Sequence, residues 1–251
     1  MSGQITVTVT GKEIRVPRGI SLLELSEKYQ EKFTTPIVIA MVDFDLKELG
    51  YKIEESCHID FLGITDKDGY KTYQRSLSFL LVKAIQDVMG QGSFVQTIIH
   101  FAINTGFYCE IISEIKPTEA LLADITARMN EMVELDLPFE KSPVKLDVAK
   151  EIFERQNMLD KMELFKYRRS SNVNLYRLDH YYDYLYGNLT PSTGCLKHFE
   201  LHLYDEGLIM QFVTRGEPTK VAPFNPDLKL FNTLKRTLKW GEIMAVENVG
   251  D

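Results

Sequence analysis

A short apolar run, PIVIAMV at residues 36–42, constrains the fold of this chain more than any other stretch. A continuous apolar run of this length is too short for an ordinary helix and is typical of a strand that is covered on both faces. The run therefore predicts a buried, central β-strand in the first part of the chain.

The residues on either side of this run complete a small sheet. The segments ITVTVT and EIRVP have the pattern of strands, and Gly11 with Lys12 predicts a tight hairpin turn between them. Ser21 and Glu24 have the spacing of a capping box, which predicts that a helix begins there. The strands are predicted at residues 5–10, 13–17, 36–42 and 58–64. This order predicts a small β-grasp-like domain over residues 1–65.

A polar segment, DKDGYKTYQ at residues 66–74, predicts a domain boundary. Beyond it, an apolar helix is predicted from Tyr73 to about Met89, within a larger α+β domain over residues 73–251. Further strands are predicted at residues 95–103, 107–112, 172–178, 180–186, 198–204 and 207–213. Further helices are predicted from Pro117, over 146–155, and over 226–240 as a connecting helix with Leu228, Phe231, Leu234 and Leu238 on one face. The fold class is therefore α+β.

The charge and cysteine content bound the possible functions. A formal net charge of −7 argues against nonspecific nucleic-acid binding, although Lys166, Arg168 and Arg169 form a local basic cluster. We interpret that cluster as a solvated surface run. The three cysteines are far apart in the sequence, and no signal peptide or apolar stretch of membrane-spanning length is present. These features predict a cytoplasmic protein without a disulfide framework or a membrane partner.

One histidine pair invites a metal-site interpretation. His198 and His202 form an H-x-x-x-H pattern, but the segment HFELHLY alternates polar and apolar residues as a strand does. On a strand the two histidines would lie roughly 13 Å apart, too far for one ion. The sequence therefore predicts no metal site here.

Motifs that cradle phosphate are also missing from the sequence. It contains no G-x-x-x-x-G-K-[ST], and Gly90 with Gly92 gives a G-x-G without a third glycine at the right distance. This chain alone is therefore not expected to hold a nucleoside triphosphate in a P-loop.

The order of segments resembles a known family. A β-grasp unit followed by YQRSLSFLLVKAI resembles the TGS domain and second N-terminal domain of threonyl-tRNA synthetase. The end of TGS domains is matched by residues 40–62, and the family's N-G-F-Y-Y-D segment by residues 103–111. Its Y-V-D-x-C-x-G-P-H segment is matched by residues 181–191, and the segment that follows by residues 198–201. In that family the second domain hydrolyses mischarged tRNA with an H-x-x-x-H and a C-x-x-x-H. The resemblance covers residues 4 to about 205.

The resemblance implies that the catalytic cluster is degenerate. The two histidines of the first motif correspond to Arg75 and Phe79, and the cysteine and histidine of the second to Leu185 and Leu189. Phe and Leu offer no lone pair to a metal or a proton, and an arginine stays charged at physiological pH. We therefore expect no catalytic residue and no metal at these four positions.

Two hypotheses describe what this cleft does now. Lys161 and Asp183 match functional positions of the family, and with Arg75 and Tyr186 they could form a cleft for a small nucleotide or nucleoside. The alternative is that Phe79, Leu185 and Leu189 fill the cleft and leave Arg75 to pair with Asp183.

The C-terminal segment carries a second resemblance. Residues 230–251, LFNTLKRTLKWGEIMAVENVGD, resemble the join that precedes the P-loop domain in bacterial uridine-kinase-like nucleoside kinases. That resemblance implies a non-catalytic regulatory or substrate-recruiting region, with its own C-terminal kinase domain as partner. ATP and Mg would belong to that domain. Two alternatives stay open, an aminoacyl-tRNA editing hydrolase and an RNA-binding module related to threonyl-tRNA synthetase.

Overall fold

The first sheet is built around the strand predicted at residues 36–42. The computed structural model describes residues 3–90, 94–166 and 170–244, and in them the chain forms three β-sheets. The first has the order β2-β1-β5-β3-β4, with β1 parallel to β5 and the other pairs antiparallel. Its strands are β1 Gln4–Val9, β2 Lys12–Pro17, β3 Ile37–Val42, β4 Asp45–Lys47 and β5 His58–Gly63. The four predicted strands are confirmed, and the three-residue β4 was not predicted.

Local sequence signals set the turn and the helix of this sheet. Thr10 and Gly11 have φ of 47° and 78°, as a two-residue hairpin turn with both residues left-handed requires. The turn predicted at Gly11 and Lys12 is wrong by one residue, because Lys12 already pairs with Val9. The capping box is confirmed at the start of α1, Leu22–Glu27, where the Glu24 amide donates to Ser21 Oγ at 3.1 Å.

Helix α2, Lys67–Met89, joins the first sheet to the rest of the molecule. The predicted helix is confirmed, but it begins at Lys67, so the polar segment at 66–74 is helical in all but its first residue. Gly69 is required here, because a Cβ would lie 1.9 Å from the Gly63 carbonyl oxygen at the end of β5. Residues of α2 share one core with Val38, Ile39 and Ile64 of the first sheet region.

The second sheet is antiparallel and has the order β11-β12-β7-β6. Its strands are β6 Gln96–Ile103, β7 Gly106–Ile112, β11 Phe199–Tyr204 and β12 Gly207–Phe212, and α3, Glu119–Glu134, packs with α2 beside it. The strand interpretation of the H-x-x-x-H segment is confirmed. The His202 ring stacks on Phe224 with the ring centroids 4.0 Å apart.

The third sheet, in the order β10-β9-β8, carries the second motif of the predicted cleft. It comprises β8 Glu140–Lys145, β9 Asn172–Leu178 and β10 Tyr181–Asp183, with α4 Leu146–Arg155 and α5 Leu159–Lys166 between β8 and β9. β8 was not predicted, because its sequence EKSPVK is polar and contains Pro143, which is tolerated on this edge strand. β10 ends at Asp183, so the strand predicted over 180–186 is too long.

The last helix, α6 Leu228–Ile243, is attached at its first half. Phe231 is buried against the rings of Phe101, Tyr108 and Tyr204, whereas Leu228 is 65% exposed. The predicted four-residue apolar face is therefore wrong at Leu228. No helix within the described ranges is both long and apolar enough to cross a bilayer. Arg168 and Arg169 of the predicted basic cluster, Gly92, and residues 245–251 of the C-terminal resemblance lie outside the described residues.

Candidate functional site

Helix α2 presents Arg75 to the loop that follows β10. The half-buried guanidinium donates from Nη1 to the Asn188 carbonyl oxygen at 2.7 Å. It lies directly on Gly187, where a Cβ would be 2.5 Å from Arg75 Cζ. Gly187 also has φ of +107°, which L side chains rarely adopt. The loop conformation and the arginine position are therefore set by one glycine.

One turn further along α2, Phe79 occupies the centre of the predicted cleft. Its side chain is 1% exposed, and its ring packs on Phe139 and Tyr181 at centroid distances of 5.7 and 6.0 Å. Leu189 is buried in the same apolar cluster, and Leu185 packs against that cluster while partly exposed. The space between α2 and the 185–189 segment is therefore lined by apolar side chains.

The remaining candidate residues do not meet at one point. Lys161 Nζ pairs with Asp183 Oδ1 at 3.1 Å, and the same oxygen accepts the Tyr184 amide at 2.7 Å. Tyr186 is 92% exposed, because β10 ends at Asp183 and the chain turns outward before Gly187. Among the described residues no ion pair joins Arg75 to Asp183. The structure thus brings Lys161 and Asp183 together and directs Arg75 to the loop and Tyr186 to solvent.

A carboxylate from the first sheet region reaches this site. Glu48, one residue beyond β4, accepts the Tyr176 hydroxyl and, at 3.1 Å, the Leu189 amide. Lys141 Nζ lies 3.5 Å from the other Glu48 oxygen and 5.1 Å from the centre of the Tyr176 ring. We call these residues, Glu48, Lys141, Tyr176 and Leu189, the Glu48 contact. It joins the first sheet region to β8, to β9 and to Leu189, one of the positions of the predicted cleft.

The electrostatics of Tyr176 follow from this position. Burial is the main cause that raises the pKa of its hydroxyl, and the hydrogen bond to the Glu48 carboxylate raises it further. The Tyr176 oxygen also lies 2.6 Å from the Gly187 carbonyl oxygen. A hydroxyl between two acceptors stays protonated, so Tyr176 holds the contact as a neutral donor rather than serving as a base.

The comparisons with known proteins agree with the order of these parts. No model of a protein family matches the chain. Over 192 residues, 76% of this chain, it is 30% identical to a threonine–tRNA ligase of Clostridium kluyveri, of which it covers 30%. It is 32% identical over 70% of its length to that of Thermotoga neapolitana, covering 29% of that protein, and 28% identical over 78% to that of Carboxydothermus hydrogenoformans, covering 31%. The chain thus spans about a third of the length of these curated relatives.

The chain is similar to the N-terminal region of threonine–tRNA ligases. This finding supports the synthetase resemblance and gives no support to the nucleoside-kinase one. Positions 75, 79, 185 and 189, which the sequence resemblance predicts to match the two ligase motifs, hold Arg, Phe, Leu and Leu in this chain. Within the described ranges, no group of three or more His, Cys, Asp and Glu side chains is placed to hold a metal ion.

Sequence reasoning missed the Glu48 contact entirely. Within the ligase-like sequence, Glu48 follows a strand too short to predict, and its partners Tyr176 and Leu189 are 128 and 141 positions away. The tyrosine-rich stretch from Tyr176 to Tyr186 was a signal, but alternation there indicates a sheet face and names no partner. Only the packing of the first sheet region against the third sheet reveals the contact.

Proposed function

We propose that this chain is a non-hydrolytic module of the threonine–tRNA ligase type, which binds and positions rather than deacylates. The Glu48 contact is the single observation that carries this proposal, because it ties the first sheet region to Leu189, one of the positions that the resemblance assigns to the editing site. Phe79 and Leu189 also support the proposal, because these two buried apolar side chains stand where the resemblance predicts imidazoles.

The chemistry of the site supports a loss of hydrolysis. Deacylation needs a group that activates water or shuttles a proton. Arg75 is always charged and is engaged with Asn188, and Lys161 is paired with Asp183. Arrangements of this kind hold a structure together, and none of them places a base beside a free reaction volume.

We propose the finer architecture on the same basis. The order β2-β1-β5-β3-β4 with one parallel central pair and a helix packed on it supports a TGS-type β-grasp unit over residues 1–65. Residues from 73 onward would form the editing-type α+β domain, ending in the connecting helix α6. The Glu48 contact would then be an interdomain contact that fixes the two units in one orientation.

RNA binding is the second candidate function, because the relatives are tRNA ligases. The net charge of −7 requires that any such binding use a local basic surface. Helix α6 is the candidate, with Lys229, Arg236 and Lys239, whereas its fourth basic residue, Lys235, is already paired with Asp205 and Glu206. We expect such binding to weaken steeply with salt.

The kinase-associated role stays a prediction. It depends on the resemblance of residues 230–251, part of which lies outside the described residues. It predicts a G-x-x-x-x-G-K-[ST] motif, with ATP and Mg as its ligands, in a domain downstream of α6. Reading the gene beyond codon 251 tests it directly.

A deacylation assay tests the main proposal. Purified chain is mixed with mischarged threonine-specific tRNA, with a threonine–tRNA ligase that carries both the H-x-x-x-H and the C-x-x-x-H motif as positive control, and we expect no hydrolysis above the uncatalysed rate. Anisotropy with uncharged tRNA at low and high salt measures binding separately. Deacylation by the wild-type chain that disappears in Lys161→Met would contradict the proposal.

The melting temperature of the chain tests the hypothesis that the cleft binds a nucleotide. With the cleft closed, we expect that uridine and ATP leave the melting temperature of the wild-type chain unchanged. A rise that Arg75→Ala removes, while Tyr186→Ala retains it, would show instead that a nucleotide enters beside Arg75.

A further inference from the structure

A small cavity lies at the root of helix α6, away from the Glu48 contact. It has a volume of about 130 Å³ and is enclosed by the end of the β6–β7 hairpin, β12, and the segment 222–226 that leads into α6. Most of its wall is apolar, contributed by Ile103, Ile209, Ala222, Pro223, Phe224 and Pro226. Its volume is close to that of the ~150 Å³ apolar cavities that hold a benzene ring.

One buried polar side chain in this wall has an unused acceptor. Gln211 is 4% exposed, and its Nε2 donates to Thr105 Oγ1 at 3.0 Å and to the Ala222 carbonyl oxygen at 2.8 Å. Gln211 Oε1 is buried and has no hydrogen-bond partner within the described part of the chain. The amide cannot turn over, because the Ala222 carbonyl only accepts and would then face Oε1.

An unpaired buried acceptor is unfavourable, so Gln211 Oε1 would favour a bound molecule that brings a hydrogen-bond donor. We propose that this cavity binds a small, mostly apolar molecule, about the size of one six-membered ring, whose single hydrogen-bond donor is accepted by Gln211 Oε1. The apolar wall would exclude charged ligands, and the one acceptor would orient a neutral one.

Such a ligand would also hold the start of α6. The cavity wall ends at Pro226, and Asp227 Oδ1 accepts the Lys229 and Leu230 amides, both at 2.9 Å, to cap the helix. Asn104 Nδ2 ties the wall to the hairpin through the Asn225 carbonyl oxygen at 2.6 Å. Filling the cavity would therefore restrict the direction in which α6 leaves the domain.

The test compares two probes of equal shape in the intact chain. Phenol offers a donor to Gln211 and benzene offers none, and methyl NMR of Ile103 and Ile209 reports occupancy of the cavity. We expect phenol to shift these signals and to bind at least about tenfold more tightly than benzene. We also expect phenol to raise the fluorescence anisotropy of Trp240, the one tryptophan of the chain, which lies on α6.

Two variants make the result decisive. Gln211→Met should remove the difference between phenol and benzene, and Ala222→Leu, which fills the cavity, should weaken both about tenfold. Ala123→Leu, on an exposed position of α3, is the matched control and should bind as wild type. Equal affinity for the two probes, shifts confined to other methyl groups, or unchanged phenol binding in Ala222→Leu would overturn the proposal.

Discussion

Two halves of one stripe on helix α2 are buried in opposite ways. Arg75, Phe79, Lys83 and Asp87 recur every four residues and share a helix face. The upstream half is closed by aromatic and leucine side chains around Phe79. The downstream half buries an ionic cluster, in which Lys83, with a fully buried side chain, binds Asp87 Oδ2 at 2.6 Å and Arg128 binds the same oxygen at 2.9 Å.

The comparison shows that this helix tolerates buried charge where every charge has a partner. Asp87 is shared by Lys83 and Arg128, and Asp179 Oδ2 lies 3.7 Å from Lys83 Nζ on the other side. At Phe79 the neighbouring rings of Phe139 and Tyr181 offer no such set of partners. The apolar environment of Phe79 is therefore local, and a paired ionic network lies one turn further along the same helix.

Breaking the ionic half should lower the free energy of unfolding more than any other change considered. Asp87→Ala leaves Lys83 and Arg128 without their shared carboxylate, and we expect the free energy of unfolding to fall by about 3–5 kcal/mol. Urea denaturation measures it. The double variant Lys83→Met/Asp87→Leu is the control and should lose less, because it removes the charges of both Lys83 and Asp87 together. A loss under about 1 kcal/mol in Asp87→Ala would show that the cluster is not energetically buried.

Placing an imidazole in the apolar half should lower the free energy of unfolding somewhat less than Asp87→Ala does. We expect Phe79→His to lower the free energy of unfolding by about 3 kcal/mol, from lost apolar burial and from a polar ring without partners. Phe79→Leu keeps the site apolar and should lose only about 1 kcal/mol. If the two variants unfold at the same urea concentration, an imidazole finds partners there and the contrast between the two halves is weaker than the structure indicates.

Alkaline pH should lower the free energy of unfolding by a smaller amount, through the Tyr176 hydroxyl of the Glu48 contact. The folded pKa of Tyr176 is raised, so its contribution is complete below its unfolded pKa, about 10, and is lost as pH rises from there towards the folded pKa. Between about pH 9 and pH 11, wild type should lose ~1 kcal/mol more than Tyr176→Phe. Unfolding curves at both pH values measure this, and equal losses would show that Tyr176 ionises freely.

Replacing the exposed Tyr186 should have the smallest effect on the free energy of unfolding. Tyr186→Ala is expected to change the free energy of unfolding by less than about 0.5 kcal/mol, because the side chain is 92% exposed. A larger loss would place Tyr186 inside the cleft after all, as the sequence alone suggested.

The elements with strong local signals could be predicted from the sequence. The apolar run at 36–42, the Ser21–Glu24 box and the period of the α2 apolar residues each encode their element within a few positions. The strand β8 could not, because edge strands need no apolar alternation and Pro143 is a negative signal for a strand. Local signals therefore predict helices and interior strands better than they predict edge strands.

The contacts of the candidate site could not be predicted from the sequence. The residue types at 75, 79, 185 and 189 follow from the sequence once the resemblance is drawn. That Arg75 turns to Asn188 and Asp183 to Lys161 depends on Gly187 and on where β10 ends. Glu48 is supplied by a distant strand, and tertiary packing alone determines its partners.

The Glu48 contact also imposes an order on synthesis at the ribosome. The Leu189 amide is made 141 residues after Glu48, which at typical elongation rates is a delay of roughly 10–30 seconds. During this interval the first sheet can fold and α2, which is complete at residue 89, can cover Val38 and Ile39, while Glu48 still lacks both Tyr176 and Leu189. A nascent chain that has not yet reached residue 176 therefore keeps the Glu48 carboxylate without these two partners, and the contact can form only after β9 and the 187–189 segment have been made.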